Sequence, residues 1–328
     1  MILFALLLLV QLETETIDSP QTAAGFCEAY ANVRLPAFTN GPAPDGMTHE
    51  HQCLDVMYGY GRQRDERKAI RCCIATGQCK RYAAMAFANG WGVKRNSDAA
   101  AHLLCSAEKE MAPAELWSML DHLQRMKTGE IREDLDYCRH LTSGRGAAFC
   151  ARREFARVVP GLEKRLADAR ALAPGATSHF DAVRAAGQKF IEAEADRIAD
   201  DSRGGTLYSS YYIDAGTAET IAFVELVERW TRGRAPAATD EGRAAAESAL
   251  AAALDERLKL AAAEERCDEC VKHVRDAQQS WIALRDSFAD LYAARWKSTA
   301  DPESLRREII TQMTRERRDT LFSPELKP

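Results

Sequence analysis

Residues 274–286 read VRDAQQSWIALRD, and the reading of this stretch decides the fold. Val274, Ala277, Trp281, Leu284 and Phe288 recur at spacings of three and four, which lays one apolar stripe along a helix. Arg275, Asp276, Gln278, Gln279, Arg285 and Asp286 fall on the opposite, polar side. A weaker copy lies upstream at a constant offset (183 against 274). There Val183, Arg184, Ala186, Gln188, Phe190 and Ile191 align with Val274, Arg275, Ala277, Gln279, Trp281 and Ile282.

The repeat extends outward on both sides. Leu162-Glu-Lys-Arg-Leu166 matches Leu254-Asp-Glu-Arg-Leu258, and residues 219–229 match 308–318. Helical periodicity predicts helices near 149–170, 177–201, 216–232, 240–265, 269–298 and 303–321. They are broken by Pro174-Gly175, Gly204-Gly205, 233–236 and Asp301-Pro302. Three helices therefore face three, and each copy reads as an antiparallel three-helix bundle closed through an apolar seam.

The first part of the chain has a shorter period. Gly59, Gly61, Arg64, Asp65 and Ala69 align with Gly90, Gly92, Arg95, Asn96 and Ala100 at a constant offset (59 against 90). Each unit reads as a helix ending at glycine, a tight turn, and a second helix capped by Asp65 or by the 96–98 segment. The paired glycines suit backbone where a Cβ would clash. Two helices whose apolar face one unit cannot bury alone is the logic of a stacked helical repeat. Pro113 opens a further helix, and Ser143-Gly-Arg-Gly146 reads as a turn at the boundary between the halves.

Eight of ten cysteines (Cys27, Cys53, Cys72, Cys73, Cys79, Cys105, Cys138, Cys150) fall in the first half, and Cys267 and Cys270 in the second. That density is usual for exported domains stapled by disulfides. Adjacent Cys72 and Cys73 are expected to choose different partners, while the pairing itself is left open by the sequence. Residues 2–10 (ILFALLLLV) have the length of a signal-peptide core and are too short to span a bilayer. The chain thus divides into a signal peptide (1–24), a Cys-rich repeat domain (25–146) and two helical units (147–236 and 237–328). The expected fold class is all-α, with an N-terminal disulfide-rich helical-repeat module followed by C-terminal tandem three-helix antiparallel bundles. A net charge of −5 argues against nucleic acid as the main ligand. Nothing after residue 25 is apolar enough for a membrane helix.

Two resemblances follow from these motifs. Residues 54–115, with Phe87-Ala-Asn-Gly-Trp-Gly-Val-Lys-Arg-Asn96 as the best match, resemble the Sel-one-like repeat, a short relative of the tetratricopeptide repeat. That resemblance implies protein–protein scaffolding. Residues 148–322 look like the LprI-type lysozyme inhibitor N-terminal family, whose pattern places Ala277, Gln278, Trp281, Ile282, Arg285 and Asp286 in register. The upstream copy keeps Phe190-Ile191 and a Gly-Gly turn at 204–205 but lacks Arg-Asp, and the downstream copy lacks Gly-Gly. The family likeness implies an exported bacterial binding protein, in its most concrete form an inhibitor of a lysozyme-type muramidase.

Several constellations invite chemistry. Cys267-Asp-Glu-Cys270 at a helix start fits either a structural disulfide or thiol–disulfide exchange, and with His273 it has elements of a zinc site. His49, His51 and Cys53 have metal-like spacing in an exposed loop, where plain solvation is the expected state. No HExxH, phosphate loop or GxSxG occurs. The expectation is a non-enzymatic periplasmic or secreted protein without cofactor. Its partner would be a muramidase or another envelope protein, and its polar contact patch Gln278, Trp281, Arg285 and Asp286. The alternatives are a periplasmic thiol–disulfide exchange protein using Cys267 and Cys270, and a structural adaptor of the cell envelope.

Overall fold

The computed structural model describes residues 16–60, 62–264 and 269–322. Gly61, Cys267 and the apolar run 2–10 lie outside them. Among the described residues every regular element is helical and no strand forms, so the chain is all-α. No described helix is long and apolar enough to cross a membrane. Two compact units divide the chain, Met1–Gly146 and Ala147–Pro328.

The first unit holds α1 (Pro20–Tyr30), α2 (Glu50–Tyr58), α3 (Glu66–Thr76), α4 (Lys80–Asn89), α5 (Ser97–Cys105) and α6 (Pro113–Thr128). Residues 20–24, assigned to the leader on sequence, form the first turn of α1, and Ala23 is buried. The short repeat recurs bond for bond. Gly59 N–H donates to Asp55 O as Gly90 N–H does to Ala86 O, and Asp65 N–H to Val56 O as Asn96 N–H does to Phe87 O. Asp65 caps α3 through Lys68 N–H at 2.9 Å, and Asn96 caps α5 through Ala99 N–H at 3.0 Å. A third turn of this kind ends α6 at Gly129, where Glu130 N–H donates to Arg125 O.

α4 is buried on all sides from Arg81 to Ala88, so it is the axis of the unit. Three bridges close around it: Cys27–Cys105, Cys53–Cys72 and Cys73–Cys79. Adjacent Cys72 and Cys73 do take different partners. Cys138, Cys150 and Cys270 are also disulfide-bonded.

The second unit contains α7 (Gly144–Ala171), α8 (Thr177–Ala199), α9 (Tyr208–Arg232), α10 (Asp240–Ala262), α11 (Cys270–Trp296) and α12 (Pro302–Thr320). α7 begins at Gly144, ahead of the predicted 149, so the Ser143–Gly146 turn is in fact a helix start. Ser143 Oγ accepts from Gly146 N–H at 3.2 Å, and a Cβ on Gly146 would lie 2.6 Å from Leu141 and from Tyr137 Oη. α9 also starts early, at Tyr208 rather than 216. Its first two turns (YSSYYIDA) show no apolar periodicity, and the helix there extends from the Gly204-Gly205 turn.

Three helices do follow three, α7–α9 and then α10–α12, yet the most extensive helix interface joins α8 to α11. These are the equivalent middle helices of the repeat. They run antiparallel, since Asp200, just beyond the end of α8, bonds His273 near the start of α11. One core results. It unites Phe180, Val183 and Phe190 of α8, Phe223 and Trp230 of α9, and Trp281, Phe288 and Tyr292 of α11 with Leu305 and Ile309 of α12. The stripe that organised the sequence is confirmed: Val274, Ala277, Trp281, Leu284 and Phe288 are all buried.

Candidate functional site

The aromatic residue that marks each copy of the long repeat sits at the floor of one cleft. Its volume is about 410 Å³, and it lies among α8, α9, α11 and α12. Phe190 comes from α8, Phe223 and Leu226 from α9, Trp281 and Leu284 from α11, and Met313 from α12. Charged groups stand among these apolar walls because they occupy stripe positions of their own helices. Glu194 and Arg197 follow Phe190 at i+4 and i+7, Glu219 lies midway between Ala215 and Phe223, and Arg317 continues the series Leu305, Ile309, Met313.

Glu194 is 2% exposed and shared by two guanidiniums. Its Oε1 accepts from Arg197 Nη2 at 2.6 Å and Arg317 Nη1 at 2.8 Å. Its Oε2 accepts from Arg197 Nε and Arg317 Nη2, each at 3.0 Å. Burial alone would raise this carboxyl, but Arg317 and Arg197 outweigh it and hold it at about 2. Glu219 is the opposite case. Burial lifts it and the negative charge of Glu194 adds to the effect, while Arg317 and Arg197 offset only part of the rise, leaving it at about 7. Among the described residues Glu219 makes no hydrogen bond, and Arg317 Nε is buried without a partner.

Divergent carboxyl pairs of this sort are what acid–base catalysis uses. Here all four donor contacts on Glu194 are filled, so its oxygens are committed to holding α12 against α8. Glu219 alone is left to exchange a proton or accept a donor.

The four residues predicted for a contact patch separate in the structure. Trp281 lines the cleft floor at 4% exposure, and Arg285 lies over its ring at 5.3 Å. Arg285 Nη2 is 2.8 Å from Asp286 Oδ1, and Asp286 is exposed. Gln278 was read as polar-faced but is buried, because a helix wrapped by neighbours on several sides loses its solvent face. Its Oε1 has no hydrogen-bond partner.

The missing Arg-Asp of the upstream copy also finds an explanation. Glu194 holds the register of Arg285, four residues after the aromatic. It recruits Arg317 from α12, whose guanidinium lies over the Phe190 ring at 5.3 Å. Both aromatics thus carry an arginine, one from its own helix and one from a neighbour. Sequence reasoning passed over Glu194, Arg197, Glu219 and Arg317. The available signal was a charged residue on an otherwise apolar stripe.

The other constellations resolve differently. Cys53 is bonded to Cys72, so it offers no thiolate to His49 and His51, whose rings stack at 5.6 Å. The sulfurs of Cys53, Cys73 and Cys79 converge because two bridges lie side by side. Cys270 is oxidised and buried against Ala261 and Val274. His273 is likewise buried, with Nδ1 2.8 Å from Asp200 Oδ1, which also accepts from Arg203 Nε at 2.9 Å. Of the repeat glycines, Gly59, Gly90 and Gly92 have φ of 80°, 80° and 63°; Gly61 lies outside the described residues. Comparison with protein-family models, curated proteins and solved structures finds no match for this chain.

Proposed function

We propose that this chain is an exported, non-enzymatic binding protein that receives a basic side chain of a protein partner in the cleft between α8, α9, α11 and α12. The observation that carries the reading is Glu219, a half-buried carboxyl with no hydrogen bond among the described residues, set between aromatic walls. Glu225 lines the same cleft, exposed and without an ion pair among the described residues, whereas the cleft's cations Arg229 and Arg317 are already paired with Glu316 and Glu194. The unmatched charge is therefore negative. An arginine or lysine would supply the donor, and Trp281 and Phe190 the apolar surroundings in which such a contact is strong.

A muramidase of the lysozyme type, basic on its surface, is the partner suggested by the likeness of residues 274–286 to the lysozyme-inhibitor family. Charge steering toward an acidic cleft suits that pairing. The disulfides suit a periplasmic or secreted location. The buried, oxidised Cys270 suits a fixed bridge better than an exchanging one.

The test is lysis of cell walls by lysozyme in the presence of the purified chain at micromolar excess. Slowed lysis is expected, with at least a tenfold weaker effect from Glu219→Gln. Unchanged lysis would reject the muramidase partner. A pull-down from envelope extract that recovers the same proteins with wild type and Glu219→Gln would reject the cleft.

A further inference from the structure

We propose that a second site, in the first unit, binds phosphate-bearing anions. It is a cleft of about 790 Å³ lined by the α4–α5 turn (90–96), the first turn of α3, and the 36–38 segment. Left-handed backbone at Gly90 and Gly92 folds the turn so tightly that a Cβ on Gly92 would lie 2.6 Å from Glu66 Cβ. Lys94 and Arg95 of this turn line the same cleft as Arg67 of α3. Arg67 is itself laid over the Phe38 ring, 4.7 Å from its centroid.

Three cationic side chains line this cleft and no carboxylate does. Glu66, whose Oε2 would lie 3.4 Å from a Cβ on Gly92, is engaged by Arg64 Nε at 2.7 Å. Arg95 is 3.9 Å from Asp134, with both side chains more than half exposed, a contact of little worth in water. Arg67 and Lys94 enter no ion pair among the described residues. No amide of 92–95 donates to a group of the described chain either. In a chain of net charge −5 this is a local excess of unmatched positive charge.

A carboxylate brings a single negative charge to three cations and leaves most of their charge unmatched. A phosphate monoester carries up to two charges on three terminal oxygens, which suits the two guanidiniums and the ammonium that line this cleft. The apolar part of the lining, Phe38, Phe87 and Val93, suits the organic portion of such an ester. The ligand class is therefore a phosphate monoester, either free in solution or presented as the headgroup of phosphatidic acid.

The experiment uses the full chain at 0.15 M salt. sn-Glycerol 3-phosphate is titrated by calorimetry, and co-sedimentation is measured with vesicles containing phosphatidic acid against phosphatidylcholine vesicles. Arg67→Gln/Lys94→Gln is compared with wild type, after circular dichroism and thiol titration show the same helix content and the same closed disulfides. Saturable binding of the soluble ester, weakened at least tenfold in the variant, supports the site and a soluble ligand. Binding only to the anionic vesicles, lost in the variant, supports the site and a lipid source. Absence of binding in both arms, or equal binding by variant and wild type, would overturn the proposal. The site is built wholly from the first unit, so none of these outcomes bears on the Glu219 cleft.

Discussion

Both units hold nearly inaccessible carboxylates, and Glu115 of the first and Glu194 of the second are satisfied in different ways. In the first unit Glu115 is fully buried and accepts from the backbone N–H groups of Ala112, Thr142 and Ser143 at 2.8–3.1 Å and from Tyr137 Oη at 2.9 Å. In the second, Glu194 is held by two arginine side chains, one from its own helix and one from α12. Amide dipoles fix a loop locally and leave no opposing charge stranded if the acid is removed. Guanidiniums tie together helices distant in sequence, and would be left as buried cations. The same contrast runs through the larger architecture. The first unit packs short helices around the buried α4 and closes them with three bridges, whereas the second joins long helices through one aromatic core.

The strongest test of this contrast is to open the longest of the three bridges described above. Cys27–Cys105 spans 78 residues. Its loss through the double serine variant should cost about 4.5 kcal/mol by chain entropy, read as a lowered urea midpoint for the first unit alone. Glu194→Ala comes next. It strands two buried guanidiniums and should cost the second unit about 4 kcal/mol, whereas Glu115→Gln in the first should cost less than half of that. Equal losses at the two sites would remove the distinction.

The smallest expected effect depends on pH. Glu219 has a folded pKa of about 7, raised above its ordinary 4.5, so folding favours its protonated form. Stability should fall as pH rises from about 4.5 to 7 and level off above. Glu194, depressed to about 2, contributes stability that is present above 4.5 and lost as pH falls toward 2. Glu219→Gln should therefore be about 2 kcal/mol more stable than wild type at pH 8 and indistinguishable from it at pH 4, by urea denaturation at each pH. A gain of the same size at both would show that Glu219 titrates normally.

Periodicity made the helices legible, since an apolar stripe at 3.6 residues per turn has one structural meaning. Val274 to Phe288 is buried as that stripe requires. The starts of α7 and α9 were not legible, because glycine and serine-tyrosine segments carry helix only where neighbours hold them. The site was half legible. Trp281 and Arg285 announce themselves as residue types, but Glu194, Glu219 and Arg317 look like ordinary surface charges in helices rich in Glu and Arg. Only the three-dimensional meeting of α8, α9 and α12 sets them against one another. Gln278 was misread for the related reason that a polar residue is assigned to water until a neighbouring helix is known.

The antiparallel pairing of α8 with α11 has a consequence in time. Val183 and Val274 are equivalent positions separated by roughly 90 residues of chain, so a chain growing at about 5–20 residues per second completes α8 some 5–18 s before its partner exists. For that interval Phe180, Val183 and Phe190 lack their α11 partners and have α9 to pack against. The late-arriving helix is the one with the stronger version of the motif, so the nascent α8 must be shielded, by α9 or by a chaperone, until it comes.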